Sequence, residues 1–242
     1  ALVQRAEAYA DADRLKTEFI AKVSFEARTP LTTMIGFADM LSQEYFGKLN
    51  RRQGEYAKGI LGTADGLVSM LGDIFDLASI EAGRLELSRD TIDVHGLLVS
   101  ALNLIQGRSR EKDLKLEFDC PPDIGWITGD EKRLKQVIFN LLSNAVTYTP
   151  ERGTVRLESR REGDELVLIV ADTGVGIPAE DQQKVLEPFG QVEATQAQNP
   201  DGTGLGLPIV KSLVEMHGGT MTLVSQPGEG TSVSFVVPVF RG

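Results

Sequence analysis

The sequence predicts an α+β chain: an antiparallel helical hairpin that pairs with a second copy as a four-helix bundle, followed by an α/β sandwich. Three observations carry that reading. Over roughly the first 77 positions, apolar residues recur three or four apart, the period of one helix face. From about residue 85 onward, short strand-like runs alternate with helical ones. A single break, "YFGKLN" at 45–50, interrupts the helical part, and its Gly and Asn favour a turn. The change of pattern near 84–90 sets the expected division into residues 1–84 and 85–242.

The first helix is expected over residues 1 to about 46. Leu15, Phe19, Val23, Leu31, Met34, Ala38 and Leu41 form its stripe. The second helix follows the break, with Tyr56, Ile60, Ala64, Leu67, Leu71, Ile74 and Leu77 in near-heptad spacing. Two such helices joined by a short turn make an antiparallel hairpin. A hairpin with one seam cannot bury it alone, so a homodimer through residues 10–84 is expected. The second helix also carries Gly54, Gly59, Gly62, Gly66 and Gly72. Each costs about 1 kcal/mol relative to alanine. They fit either close helix packing or a helix built to bend.

Around "SIEAGRLEL" (79–87) the pattern changes. Strands are expected at "LKLEF" (114–118), "TVRLESR" (154–160), "ELVLIVAD" (165–172), "TMTLVS" (220–225) and "TSVSFVVPV" (231–239). Helices are expected at 131–146 and 208–219. This mixture predicts a sandwich of about 150 residues.

Composition narrows the function. The net charge of −10 has no basic stripe to interrupt it, which excludes nucleic acid as a partner because phosphate neutralisation needs clustered Lys and Arg. No apolar run is long enough to span a bilayer, and no signal peptide is visible. The chain starts inside a helical pattern, so it reads as a cytoplasmic fragment, with any sensor or membrane anchor carried by upstream segments. Cys120 is the one cysteine, and with no base or cation motif beside it a structural thiol is expected.

Four stretches of the second part carry chemistry together. "NLLSNA" sets Asn140 and Asn144 four apart on one helix face, where side-chain oxygens can converge on a hard cation. "DTGVGIP" (172–178) ends a strand in Asp172, followed by Gly174 and Gly176. The carboxylate can accept from an exocyclic amine, and the glycines let the backbone approach a flat base. "DGTGLGLPIV" (201–210) places Gly202, Gly204 and Gly206 before a helix, where backbone N–H groups suit phosphate. "GEGT" (228–231) repeats the glycine theme. Any one glycine-rich turn is weak; the four in this order are strong.

On these motifs, from about Leu15 to Pro238, the chain resembles the core of a sensor histidine kinase. "NLLSNA" resembles the N box, "DTGVGIP" the G1 box, "EPF" (187–189) the F box and "GTGLGL" the G2 box. "SFEARTPL" (24–31) resembles the H box of the helical dimerisation domain. The resemblance implies a HisKA-type four-helix bundle joined to a Bergerat-type sandwich that binds ATP and Mg²⁺. It implies that Asn144, with Asn140, holds the metal, that Asp172 contacts adenine, and that Tyr148, Gly174 and Gly176 belong to the nucleotide site. Gly202, Gly204, Leu205 and Gly206 are implied to meet phosphate.

Three departures from that family bear on activity. First, Phe25 stands where the family has its phosphoacceptor histidine. A benzyl ring offers no nucleophilic atom, so phosphorylation at this position is chemically excluded. His95 and His217 read as structural. On an ideal helix with Leu15 at zero, the apolar stripe covers roughly 0–160° and Phe25 falls near 280°. It is a lone aromatic beside Glu18, Thr29, Thr32 and Gly36, suited to an interaction. Second, "NAVTYT" puts Thr147 where the family has a lysine. Third, the lid-like segment 190–202 holds no Lys or Arg. Phosphoryl transfer depends on neutralising and positioning charge. Each lost cation costs about 1.5–3 kcal/mol, so weak ATP binding is expected.

What remains is a Glu26–x–x–Thr29 pattern, whose family role includes activating water against a receiver's phospho-aspartate, and Pro30, which should bend the helix. The chain therefore reads as an atypical, kinase-inactive member similar to the DivL type, where an aromatic residue, usually Tyr, occupies the H-box position. The expected partners are a response-regulator receiver domain, phosphorylated or not, and another histidine kinase. The alternatives are a response-regulator phosphatase using Thr29 and Glu26, or a kinase inactivated by an engineered substitution.

Overall fold

The computed structural model describes residues 2–192 and 202–239, with side chains from residue 19 onward apart from position 21. The stripe position Leu15 and lid residues 193–201 therefore lie outside the described side chains or segments. The chain forms two compact units, Ala1–Leu85 and Glu86–Gly242.

The first unit is a hairpin of α1 (Leu2–Ser42) and α2 (Arg51–Glu81). α1 stops short of the expected residue 46 because the chain turns at Glu44, with φ 56°, and at Gly47, with φ 132°. α2 starts in a capping box: Asn50 Oδ1 accepts from the Gln53 amide and Gln53 Oε1 accepts from the Asn50 amide, each at 2.9 Å. That reciprocal pair satisfies two donors that the first helical turn leaves open.

α1 continues through Pro30 as one helix, although a proline nitrogen cannot donate to the Glu26 carbonyl. Just beyond it, the hydroxyls of Thr32 and Thr33 bond the carbonyls of Arg28 and Thr29 at 2.9 and 3.1 Å. Such back-bonding tends to bend helices.

Small residues fill the contact between the two helices. Ser24, Ala38, Ala57, Ala64, Ala78 and Ser79 are buried, as is Asp76. Much of the large apolar stripe lies outside this contact, as a hairpin that cannot bury its seam alone requires. Phe19 is 69% exposed and Tyr56 66%, and Val23, Met34, Leu41, Ile60 and Leu67 are exposed as well. Two helices offer only one line of close approach, so among the described residues of the hairpin the wider apolar face of each stays largely exposed. At Gly54, Gly59, Gly62, Gly66 and Gly72 an added Cβ would meet nothing within 4 Å. Helix approach inside the hairpin therefore does not require these glycines.

The second unit is a five-stranded sheet of order β2-β4-β5-β7-β6, built from β2 (Lys115–Asp119), β4 (Thr154–Glu162), β5 (Glu165–Asp172), β6 (Thr220–Gln226) and β7 (Gly230–Pro238). β2 runs parallel to β4 and the other pairs are antiparallel. β1 (Asp90–Asp93) and β3 (Trp126–Gly129) form a separate antiparallel ribbon. The register puts Val155, Leu157, Leu166, Leu168, Val170, Val233, Phe235 and Val237 on one face, where all are buried. Helices α3 (Val94–Glu111), α4 (Glu131–Tyr148) and α5 (Gly206–Met216) supply the other layer. α3 packs on α4, α4 on α5 and on β4 and β5, and α5 on β6 and β7. Leu98, Ile105, Leu142, Ile209 and Leu213 sit fully buried between the layers.

The sandwich strands and both expected helices fall close to their sequence positions. α3, β1 and β3 have no sequence-level counterpart. Gly96 and Gly107 dilute the helical signal of α3, and the ribbon strands are four residues each, too short for alternation to stand out.

Candidate functional site

The candidate residues fall into two groups, one in each unit. In the second unit, the closing turns of α4, the end of β5, the start of α5 and the β6–β7 turn meet.

Asp130 caps α4, its carboxylate accepting from the Arg133 amide at 2.9 Å, and so fixes where the helix begins. Asn140, Asn144, Thr147 and Tyr148 then recur at the spacing of one helix face and are all half-buried. The side-chain amide Nδ2 of Asn140 is buried with no hydrogen-bond partner among the described residues. Buried polar atoms are nearly always satisfied, so this one fits a site that takes a polar ligand. A Cβ at Gly206, the first residue of α5, would lie 3.8 Å from Asn144 Nδ2, so the two helices bring these positions together.

Asp172 ends β5. Its Oδ1 accepts from the amides of Gly174 at 2.7 Å and Thr231 at 3.3 Å, which leaves Oδ2 to another donor. Burial pushes its carboxyl above the ordinary range, against the lowering effect of those two amides. At Gly174 a Cβ would sit 2.6 Å from Asp172 Oδ1 and 2.7 Å from the Tyr148 carbonyl. No side chain fits there. The Val175 amide donates to that same carbonyl at 3.3 Å, tying the glycine turn to the last turn of α4. Gly176 has φ +70°, and a Cβ there would overlap the Gln226 carbonyl.

Before α5, Gly204 has φ +68° and packs against the Phe189–Gly190 backbone, and the Phe189 amide donates to the Gly204 carbonyl at 3.1 Å. Phe189 itself has φ 63° and is 65% exposed. The Gly202 carbonyl accepts from the Gln191 side chain. Leu205 is fully buried, so only its backbone faces this chemistry, and its amide donates to Thr203 Oγ1 at 3.2 Å. α5 has no side-chain cap. Its first amides therefore lack intrahelical partners, the arrangement that receives anions.

Sequence reading missed three contributors. Lys112, which follows α3, donates through Nζ to the carbonyls of Val146 and Thr147, each at 2.8 Å. Burial pushes its ammonium below the ordinary range, opposed by nearby Glu151. Gln182 donates to the carbonyls of Ile177 and Ser225 at 3.2 and 2.8 Å. Ser225 joins the glycine turn to the β6–β7 turn. A lysine, a glutamine or a serine at such places has no pattern in sequence. The "GEGT" stretch was read for its glycines alone, so Thr231 went unmarked as well.

In the first unit, Phe25 is 73% exposed on α1, and Glu26, Arg28 and Thr29 around it are exposed too, while Ser24 is buried. The Thr29 carbonyl accepts from Thr33; no bond among the described residues engages the Thr29 hydroxyl. The histidines have other surroundings. His217 donates through Nδ1 to the Leu213 carbonyl at 2.7 Å and accepts at Nε2 from the Asp130 amide at 3.2 Å. The His95 ring packs against Phe118 at a centroid distance of 5.5 Å and a tilt of 50°. Burial raises the Cys120 thiol above its ordinary value, which keeps it protonated and unreactive.

Both units match known protein families. Residues 15–83 match the His Kinase A (phospho-acceptor) domain, and residues 129–241 match the histidine kinase-, DNA gyrase B- and HSP90-like ATPase family. The non-motile and phage-resistance protein of Caulobacter vibrioides is 41% identical over 94% of this chain and 28% of its own length. Sensor protein DivL of the same organism is 37% identical over 98% of this chain and 30% of its own length. This chain thus spans under a third of these two relatives. Among solved structures, full-length ShkA in complex with AMPPNP superposes with a TM-score of 0.74 at 31% identity, over 93% of this chain and 46% of that one.

Proposed function

The chain belongs to the sensor histidine kinases of two-component signalling as a transmitter core, and from that premise we propose that it is an atypical, kinase-inactive member acting as a signalling scaffold. One observation carries the proposal: at the H-box position, on an open face of α1, stands Phe25, a residue that cannot accept a phosphoryl group. The exposed ring, with Glu26, Arg28 and Thr29 beside it, suits docking of a receiver domain.

The hairpin works as a homodimer in this reading. Phe19, Tyr56, Ile60 and Leu67 present a broad apolar face, and a second copy of the hairpin covers it as a four-helix bundle. The sandwich binds ATP, as its family and the AMPPNP complex of ShkA suggest. Asp172 reads the base, Gly174 and Gly176 let it approach, and the start of α5 meets the phosphates. Among the described residues no cluster of three or more His, Cys, Asp or Glu side chains stands ready for a metal. Mg²⁺ would then be held by the oxygens of Asn140 and Asn144 together with phosphate oxygens. Thr147 brings no positive charge to this face, and Lys112 directs two of its three N–H donors to backbone carbonyls. Binding is therefore weak.

The test is titration of receiver domains onto the dimeric chain. A cognate receiver binds, and Phe25→Ala weakens it at least tenfold. Equal binding by both proteins refutes docking at Phe25.

A second reading has its own observation. Glu26 and the unengaged hydroxyl of Thr29 are exposed together, as a response-regulator phosphatase would need. It requires the chain to speed loss of acyl-phosphate from a receiver, and Thr29→Ala to abolish that effect.

A further inference from the structure

Ser225 lies on β6 where the glycine turn, the β6–β7 turn and the Thr231 partner of Asp172 meet. Its hydroxyl has three neighbours. The Ile177 amide donates to Ser225 Oγ at 2.8 Å. Ser225 Oγ lies 2.9 Å from the Gly230 carbonyl, which can only accept, so the one serine proton goes there. Thr231 Oγ1 lies 2.8 Å from Ser225 Oγ. With the serine proton committed, Thr231 must be the donor in that contact. Thr231 Oγ1 therefore keeps only acceptor capacity for anything else.

Thr231 is paired with Asp172 across β5 and β7, so the two side chains share one face of the sheet, and the Thr231 amide bonds Asp172 Oδ1. We infer that Ser225 is a positioning residue for base selection: by fixing the direction of the Thr231 hydroxyl, it makes the Asp172–Thr231 edge accept hydrogen bonds without donating any. This rests on the nucleotide reading above and deepens it. Such an edge suits a base with an exocyclic amine and disfavours a carbonyl at the same place. Without the serine hydroxyl, Thr231 can rotate and donate to a carbonyl instead. Gln182 holds the Ser225 backbone from the other side at 2.8 Å, which keeps the hydroxyl in register with the turn.

The experiment compares calorimetric titrations of ADP and inosine diphosphate, whose base carries a carbonyl in place of the amine. The unmodified chain prefers ADP. In Ser225→Ala that preference falls about fivefold, the worth of one neutral hydrogen bond, while affinity for inosine diphosphate holds or improves. Ser225→Thr, which keeps the hydroxyl, restores the preference. Equal weakening of both nucleotides by Ser225→Ala would mark a merely structural serine and overturn the inference. Should Ser225→Ala not fold, Thr231→Val serves: it must lower the preference, and an unchanged preference refutes the role. If the unmodified chain binds neither nucleotide, the nucleotide reading itself fails, an outcome distinct from the other two.

Discussion

Lys112 Nζ donates to the Thr147 carbonyl at 2.8 Å, so an ammonium from the end of α3 holds the last turn of α4. The same group bonds the Val146 carbonyl. Helix C-termini carry unsatisfied carbonyls and a partial negative charge, and a cation there is favourable. The turn it holds carries Tyr148, whose carbonyl in turn anchors the glycine turn through the Val175 amide. Replacing the lysine by methionine keeps the aliphatic stem and removes the charge. Lys112→Met is expected to destabilise the sandwich by about 1–2 kcal/mol, read as a lower urea midpoint with an unchanged slope. No change in midpoint would mean the contact is dispensable.

Asp73 gives the hairpin a pH dependence. Burial, and then the neighbouring carboxylate of Asp76, raise its carboxyl from the ordinary 3.8 to about 6. A raised carboxyl means that the folded state holds the proton more tightly than the unfolded one. Stability therefore falls as pH rises from about 4 to about 6 and stays at the lower level above that window. Asp73→Asn removes the cost. It is expected to stabilise the hairpin by about 1–2 kcal/mol at pH 7.5, an amount discounted for partial solvent screening, and by little at pH 4. Denaturation at both pH values and one protein concentration checks this; an equal effect at both would contradict the assignment.

The glycines of α2 leave open space around them. Gly66→Ala is thus expected to raise the stability of the helix by up to about 1 kcal/mol, seen as a higher melting temperature of the dimer. A loss of stability would instead place Gly66 against the second copy, as close packing between protomers requires.

The sequence revealed most where residue type and backbone shape are locked together. Gly174 and Gly176 were legible because no other residue fits against Tyr148 and Gln226, and Asp172 because an acid ends a buried strand. The strands of the sandwich were legible from alternation, as in Thr154–Glu162, where Val155, Leu157 and Ser159 turn inward. The hairpin was legible as an apolar face, but which residues make the contact inside one chain was not. Periodicity marks an apolar face without saying what meets it, and here Ala38, Ala57 and Ala64 make the contact while Phe19 and Tyr56 stay outside. Lys112 and Ser225 were invisible, since each acts through backbone or hydroxyl contacts with residues at least 34 and 5 positions away, respectively. Only the fold creates those meetings.

The central claim is that this transmitter core keeps its architecture while lacking the group that receives phosphate. Its most direct test is incubation of the dimeric chain, unmodified and as Phe25→His, with ATP labelled at the γ-phosphate, followed by counting of covalent label. The expected result is none on the unmodified chain and little on Phe25→His, because Thr147 supplies no phosphate-facing charge. Label accumulating on the unmodified chain would contradict the claim, and ready labelling of Phe25→His would show a competent kinase stopped by a single residue.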